Sequence, residues 1–466
     1  MEEKLEKNKE YVVEIIDHGY EGEGIAKIGS VPIFIPNVLK GEVCKIVLVK
    51  VLSSYAYGKV LELQKVSPDR VEADCSCSKR CGGCDLRHIA YPRTLEIKRE
   101  IVQNLVNKNL QQKIEVQETI GMEQPVYYRN KAQYPFGVDQ EGRPTIGIFA
   151  KRSHEIVPLQ SCQIQNEISQ EIAKTVIAFC RENHVEIYDE KTGKGILRHL
   201  VVRVGFSSKE VMCIFVICQK NETLASNWSK KKEELYHKLQ QEYPNIQTIV
   251  ENVNNQNTNV ILGNRNQTIV GEGKIQDQLG EFTFEISPMS FYQINPVQTV
   301  KLYRKAMEEA ELQQEDIFCD LYCGIGTIGI FAAKQVKKVY GVEIIPEAIE
   351  DAKRNARLNQ IENVEFIAGD VEKLFGELLQ KEGVKPTVVC VDPPRKGIDQ
   401  TTIDNILKVE PEKVIYISCN PATMVRDIAK LEEKYSIKSM TPVDLFPFTK
   451  HVECVTVMRL KENLKC

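Results

Sequence analysis

No stretch of this 466-residue chain is apolar for long enough to cross a bilayer as a helix, which sets helical membrane proteins aside. Its first residues, Met1-Glu2-Glu3-Lys4-Leu5-Glu6-Lys7, contain no apolar run for a secretion signal, so a cytoplasmic location is expected. Basic charge is not in excess either: 61 Lys and Arg against 65 Asp and Glu leave a net −4, and any nucleic-acid binding must come from local patches. There is no internal repeat and no low-complexity tract. The length exceeds what one core usually organises, so two or three domains are expected. Fifteen cysteines do not imply a disulfide scaffold in a chain this long; clustered ones point to metal ligation or catalysis. Cys180, Cys213, Cys218 and Cys390 lie in apolar runs and read as core residues.

Local basic residues are present at Arg87, Arg93, Lys98, Arg99, Lys108, Lys113, Arg129, Lys131, Lys151, Arg152, Arg198 and Arg203. A nucleic-acid surface and a solvated helix face with interleaved acids are equal readings of that charge. Residues 10–64 alternate short β-type runs with glycines at Gly22, Gly24, Gly29 and Gly41, the pattern of a small β-barrel over residues 1–66. The segments Gly22 to Ala26, Val31 to Pro36 and Leu39 to Glu42 resemble the TRAM domain, an OB-like RNA-binding module. Residues 67–285 read as a mixed α+β middle domain, with a cysteine-rich loop at 75–84. Leu95, Ile101, Leu105 and Val106 predict a helix over about 92–110 that can pack on the following domain. From 286 to 466, apolar strands alternate with helices, which predicts a doubly wound, Rossmann-like parallel sheet with ligands at the strand C-termini.

The first of those strands runs into Asp320-Leu321-Tyr322-Cys323-Gly324-Ile325-Gly326, and Gly324 and Gly326 allow a tight turn and a close ligand approach. Glu343 ends the second strand, where a ribose diol needs an acceptor; Asp370 closes the third and Asp392-Pro393-Pro394 the fourth. A dinucleotide enzyme needs the first three features but not the fourth. The Asp-Pro-Pro corner favours a class I methyltransferase, with another adenosine-binding Rossmann domain as the alternative.

Ser418-Cys419-Asn420-Pro421 places a cysteine at the edge of the sheet beside that corner. Uracil C5 is too poor a nucleophile to take a methyl group unaided. A thiolate adding to C6 makes C5 an enolate carbon, and a base must later remove the C5 proton. Glu453 is assigned as that base, with His451 a weaker candidate for the same task or for orienting it. A buried, inert cysteine and a surface glutamate without a role are the bland alternatives.

The segments Asp392 to Gly397, Ser418 to Pro421 and His451 to Glu453 resemble the signatures of the RNA uridine-C5 methyltransferase family, and Ser287 to Asn295 resembles the stretch preceding its catalytic domain. With the TRAM-like barrel, the resemblance spans nearly the whole chain. It implies S-adenosylmethionine as cofactor, contacted by Gln293, Tyr322, Glu343 and Asp392, with Cys419 attacking and Glu453 taking the proton. Tyr322 stands where relatives often have phenylalanine.

Cys75, Cys81 and Cys84, with Cys162 far along the chain, can supply four thiolates to an iron–sulfur cubane; Cys77 would instead complete a local Cys₄ zinc site. The spacing resembles the cluster-bearing branch of the family, which implies a 4Fe-4S cluster. The branch with both barrel and cysteine motif implies 23S rRNA as substrate, rather than tRNA, with no obligate protein partner evident. The rival functions are an RNA cytosine-C5 methyltransferase and a non-catalytic RNA-binding assembly factor.

Overall fold

The computed structural model describes residues 5–381 and 384–462. Its first six strands are β1 (Glu10–Glu14), β2 (Asp17–His18), β3 (Gly24–Ile28), β4 (Val31–Ile35), β5 (Val43–Val51) and β6 (Ala56–Lys65), in the order β1-β5-β6-β4-β3-β2. Alternate residues of β5, Cys44, Ile46 and Leu48, point inward, as the two-residue pleat dictates. Just past β1, the Ile16 N–H donates to the Ile25 carbonyl on β3 at 2.8 Å, so the sheet curls round its core. Gly22, Gly29 and Gly41 take positive φ in turns, as expected. Gly24 is not a turn residue. It lies in β3, where a Cβ would run into Val38 and Ile15.

Helix α1 (Tyr91–Asn109) follows the predicted periodicity and packs on the far end of the chain: Val102 and Val106 share a core with Met424, Val425 and Ile428. Next come β7 (Lys131–Val138), β8 (Pro144–Phe149), β9 (Ile156–Pro158), α2 (Glu167–Glu182), β10 (Leu197–Val204), β11 (Val211–Ile217), α3 (Glu222–Glu242), β12 (Ile246–Val253) and β13 (Arg265–Val270). Their strands form a sheet ordered β13-β12-β11-β10-β7-β8-β9. Every residue of β10 and β11 is buried, because both faces are covered. Val202 and Phe215 pack among residues of α2 and α3 such as Phe179 and Leu235. Val201 and Ile214 pack with Phe282 and Phe284 of the hairpin β14 (Ile275–Leu279) and β15 (Phe282–Ile286), in a core continuous with the last domain.

That domain contains α4 (Pro296–Ala310), β16 (Ile317–Leu321), α5 (Thr327–Ala333), β17 (Lys338–Glu343), α6 (Pro346–Leu358), β18 (Val364–Ala368), α7 (Val371–Lys381), β19 (Val388–Val391), α8 (Gln400–Val409), β20 (Lys413–Ser418), α9 (Pro421–Leu431), β21 (Tyr435–Val443) and β22 (Glu453–Leu460). Its sheet runs β18-β17-β16-β19-β20-β22-β21, and chain order reverses at β16, where doubly wound sheets open their ligand crevice. The expected all-parallel sheet is corrected at one edge: β22 returns antiparallel between β20 and β21. A short connection suffices for an antiparallel return, and 444–452 provides it. In that register Ser418 lies opposite Cys454, so the C-terminal end of β20 meets the start of β22. Among the described residues, no helix is long and apolar enough to cross a membrane.

Candidate active site

At the switch point the chain leaves β16 through a loop that uses the left-handed region three times, with φ of 66° at Tyr322, 54° at Gly324 and 81° at Gly326. Tyrosine holds that conformation at a cost of about 1–3 kcal/mol, so the surroundings must impose it. A Cβ on Gly326 would come within 2.7 Å of the Phe366 ring, whereas one on Gly324 would meet open space, leaving the backbone there accessible. Glu343 accepts the Gly324 N–H at 3.2 Å and the Ile345 N–H at 3.0 Å, tying the loop to the end of β17. Asp320 is fully buried; one oxygen accepts the Gly329 N–H at 2.8 Å and the other has no partner. Burial, then the charges of Asp392 and Glu343, pushes its carboxyl up to about 8.

Asp370 caps α7, accepting the Glu372 N–H at 3.0 Å, a structural duty in addition to the predicted one. Gln293 is buried in the 287–295 segment, which the middle sheet holds in place. Asn130 donates to the Gln293 carbonyl at 2.8 Å, and Arg203 donates to the carbonyls of Pro288 and Ser290.

Cys419 is half-buried at the tip of β20, and Glu453 is buried at the start of β22. The antiparallel register brings them together. Burial, then the charges of Glu453 and Asp392, pushes the Cys419 thiol up to about 11, while Arg395 opposes the rise. The Glu453 carboxyl stands well above the ordinary carboxylate range because it is buried and faces Asp392, and Arg395 again opposes. Burial pushes Asp392 up to about 7. The thiol and the Glu453 carboxyl thus share one cation beside a second buried carboxyl, and such groups favour accepting a proton over carrying charge. The His451 imidazole is pushed down to about 4 by burial, then by Arg395 and Lys450, and packs edge-on against Phe446.

Three participants escaped the sequence reading. Arg395 stood inside a quoted motif without a role, and Asp320 opened the glycine loop without one. Tyr20, on the barrel, donates to Asn420 beside Cys419 at 2.7 Å, and no local signal marks it.

Most of the predicted basic patch serves the fold. Arg87 pairs with Asp74, Arg93 with Glu96 and Glu100, Arg99 with Glu115, and Lys98 with Asp444 inside the protein. Arg198 and Arg203 are buried on backbone carbonyls. Arg129, Lys131, Lys151 and Arg152 instead line a cavity of about 720 Å³ between the barrel, the cysteine loop, the middle sheet and His451. In its wall Arg129 Nε, Gln165 Oε1 and His199 Nδ1 are buried without partners. Burial and the charges of Arg203 and Arg129 push the Lys131 ammonium down to about 8.

The cysteine loop borders this cavity. Its backbone is pinned to the end of β8, Gly82 N–H to the Phe149 carbonyl at 3.0 Å. Cys75, Cys81, Cys84 and Cys162 lie within electrostatic reach of one another: the charge of Cys162 adds to burial in raising the thiols of the other three, Cys84 to about 12. Among the described residues, however, no three His, Cys, Asp or Glu side chains form a group arranged to hold a metal ion. The charge of Cys77 also raises Cys75 and Cys81, so the fold does not separate the iron–sulfur set from the zinc set that includes Cys77, and neither has a coordination geometry.

Comparison with known proteins agrees with this architecture. Residues 90–461 match the family model described as tRNA (Uracil-5-)-methyltransferase, and residues 4–61 match the TRAM domain. The "uncharacterized RNA methyltransferase" of Staphylococcus epidermidis is 44% identical over 462 residues, covering 99% of this chain and 100% of that protein. One from Oceanobacillus iheyensis is 42% identical over 461 residues, 98% of each. A solved structure, the Pyrococcus abyssi tRNA (uracil-54, C5)-methyltransferase in complex with S-adenosyl-L-homocysteine, superposes with a TM-score of 0.74 at 27% identity, covering 96% of this chain and 99% of that one. With an N-terminal TRAM barrel, a Rossmann-like catalytic sheet and this match over most of its length, the chain belongs to the S-adenosylmethionine-dependent RNA uracil-5-methyltransferase family.

Proposed function

We propose that this protein methylates C5 of a uridine in structured RNA, with 23S rRNA as the substrate, using Cys419 as nucleophile and Glu453 as base. The observation that carries the proposal is the pairing of Ser418 with Cys454, which seats the two groups side by side on neighbouring strand ends. S-adenosylmethionine, when bound, supplies an electrophilic methyl group. The open space at Gly324 and the carboxylate of Glu343 suit it, and Gln293, Tyr322, Gly324, Gly326, Glu343, Asp370 and Asp392 would hold it.

Cys419 Sγ adds to C6 of a uracil extruded from its stack, and the electron pair of the C5–C6 double bond moves onto the C4 carbonyl. The thiol loses its proton to solvent before it adds, and Arg395 offsets the negative charge left behind. C5 would then take the methyl group as its bond to the cofactor's sulfur breaks, leaving a neutral thioether. Glu453 then removes the C5 proton, the double bond re-forms, and the Cys419 thiolate leaves. A carboxylate held among low-dielectric neighbours is a stronger proton acceptor than one in water, which suits Glu453 to that step.

The cavity beside His451, lined by Arg129, Lys131, Lys151 and Arg152, suits the flanking RNA backbone. Cys75, Cys81, Cys84 and Cys162 are the residues that would hold a 4Fe-4S cluster, which would tie residue 162 to the 75–84 loop. Such an RNA substrate implies a cytoplasmic protein. A second reading, a tRNA substrate, is favoured by the likeness to the Pyrococcus abyssi enzyme: that match covers 96% of this chain, so the barrel does not separate the two RNAs. Mapping 5-methyluridine in total RNA with and without the protein decides. Loss of a methyl from 23S rRNA is expected; loss from tRNA alone establishes the second reading, and no loss from either removes both.

A further inference from the structure

We propose that the barrel turn at residues 19–23 completes the catalytic site, with Tyr20 as a positioning residue that holds the nucleophile's turn through Asn420. The proposal rests on the roles given above to Cys419 and Glu453, and it assigns the barrel a part in the chemistry beyond carrying RNA.

Tyr20 Oη donates to Asn420 Oδ1 at 2.7 Å across 400 positions of sequence. Asn420 follows the nucleophile directly. Its Oδ1 also caps α9 by accepting the Ala422 N–H at 3.2 Å, and its Nδ2 donates to the Arg395 carbonyl at 2.9 Å. One side chain therefore ties together the residue after Cys419, the start of α9 and the arginine that offsets the thiolate, and Tyr20 is its partner from outside the domain. One residue further on, Glu21 forms an ion pair with Lys450, three positions before Glu453. The same turn thus touches both arms of the site.

The turn is built to stay there. Gly19 N–H donates to the Glu23 carbonyl at 2.7 Å, closing it. Gly22 has φ of 79°, and a Cβ there would come within 3.3 Å of both Leu86 and Lys450, so the chain is seated closely on the middle and catalytic domains together. The phenol is pushed up to about 12, by burial first and by the charge of Cys419 next, so it remains a donor through the neutral range.

Tyr20→Phe removes one hydrogen bond and keeps the ring. Its expected effect is a fall in kcat of about tenfold, with KM for RNA within about twofold of the unaltered enzyme. Asn420→Ala and the double variant complete a cycle: if Tyr20 acts through Asn420, the double variant is no slower than Asn420→Ala alone. Tyr20→Ala, which releases Asn420 from the barrel altogether, should speed iodoacetamide alkylation of Cys419 in enzyme without RNA. A purely RNA-carrying barrel predicts a raised KM, unchanged kcat and unchanged alkylation, and that outcome overturns the proposal, as do fully multiplicative effects in the cycle. Alkylation needs no substrate, so failure of the unaltered enzyme to methylate any uridine would strike the functional reading and leave this test intact.

Discussion

Cys419 and Cys84 are both half-buried thiols in turns, and burial pushes both upward, to about 11 and about 12. Their neighbours differ. Cys419 faces two carboxyls and a guanidinium where the C-terminal ends of β19 and β20 meet the start of antiparallel β22, so a proton taken from one group has another to receive it. Cys84 packs against Met122, Tyr128 and Ile164 and faces Cys162 and Cys81, with Arg87 and Arg129 opposing the rise, so cations are near it too but no carboxylate base is among the groups that shift it. A raised thiol alone does not distinguish a nucleophile from a ligand. The identity of the groups around it does.

The sharpest way to break the comparison is to remove each sulfur. Cys419→Ala should reduce methyl transfer by at least about 10⁴-fold and abolish the covalent complex with 5-fluorouridine RNA on a denaturing gel. Residual turnover near the normal rate would move the nucleophile elsewhere.

Glu453→Gln comes next, with a loss of turnover of roughly 10²- to 10⁴-fold. Methyl transfer still occurs once, so methylated adduct should accumulate; normal release of product would take the base role from Glu453. The same variant has a pH signature in the RNA-free enzyme. The negative charge of Glu453 is one of the causes that raise the Cys419 thiol, so a neutral glutamine lets the thiolate form at lower pH. The alkylation midpoint of Cys419, pushed up to about 11 in the unaltered protein, should therefore move down.

Cys84→Ser should act in the opposite sense. If the proposed cluster forms, protein prepared without oxygen is brown and the variant colourless or pale, while still forming the 5-fluorouridine complex. Colourless, zinc-loaded unaltered protein would replace the cluster with the local Cys₄ site that includes Cys77.

Short-range signals account for what was legible in advance. The strands of the catalytic sheet are apolar runs, and the glycine loop, the Asp392 corner and the Cys419 turn each sit where a strand stops, so position and residue type were readable together. The edge of the sheet was not. Strand β21, Tyr-Ser-Ile-Lys-Ser-Met-Thr-Pro-Val, has no continuous apolar run, yet most of it is buried beneath α1 and α4. Its partner β22 is what brings Glu453 to Cys419. Charge was the least legible property. Lys98 looks like part of a basic surface, but it is fully buried on Asp444 at 2.5 Å, 346 positions away, and the Tyr20–Asn420 bond spans 400. No periodicity encodes such pairings.

The smallest expected effect probes how the thiol-rich corner is held. Cys162 reaches it from a segment with little regular structure, and the buried Gln170 of α2 grips its backbone from both sides: Oε1 accepts the Cys162 N–H at 2.7 Å and Nε2 donates to its carbonyl at 2.8 Å. Gln170→Ala removes both bonds and a third, from Nε2 to the Gln165 carbonyl at 3.0 Å, at a cost of about 1–3 kcal/mol. That corresponds to a fall in melting temperature of roughly 2–4 °C per kcal/mol for a domain of this size. Iron should be lost to a chelator faster than from unaltered protein, with the 5-fluorouridine complex still forming. Gln170→Glu keeps the acceptor and loses the donor, so its release rate should fall between the two. Equal melting and equal iron release in all three proteins would mean that Cys162 is fixed by the cluster itself, and that the clamp from α2 contributes nothing to the difference between the two thiol sites.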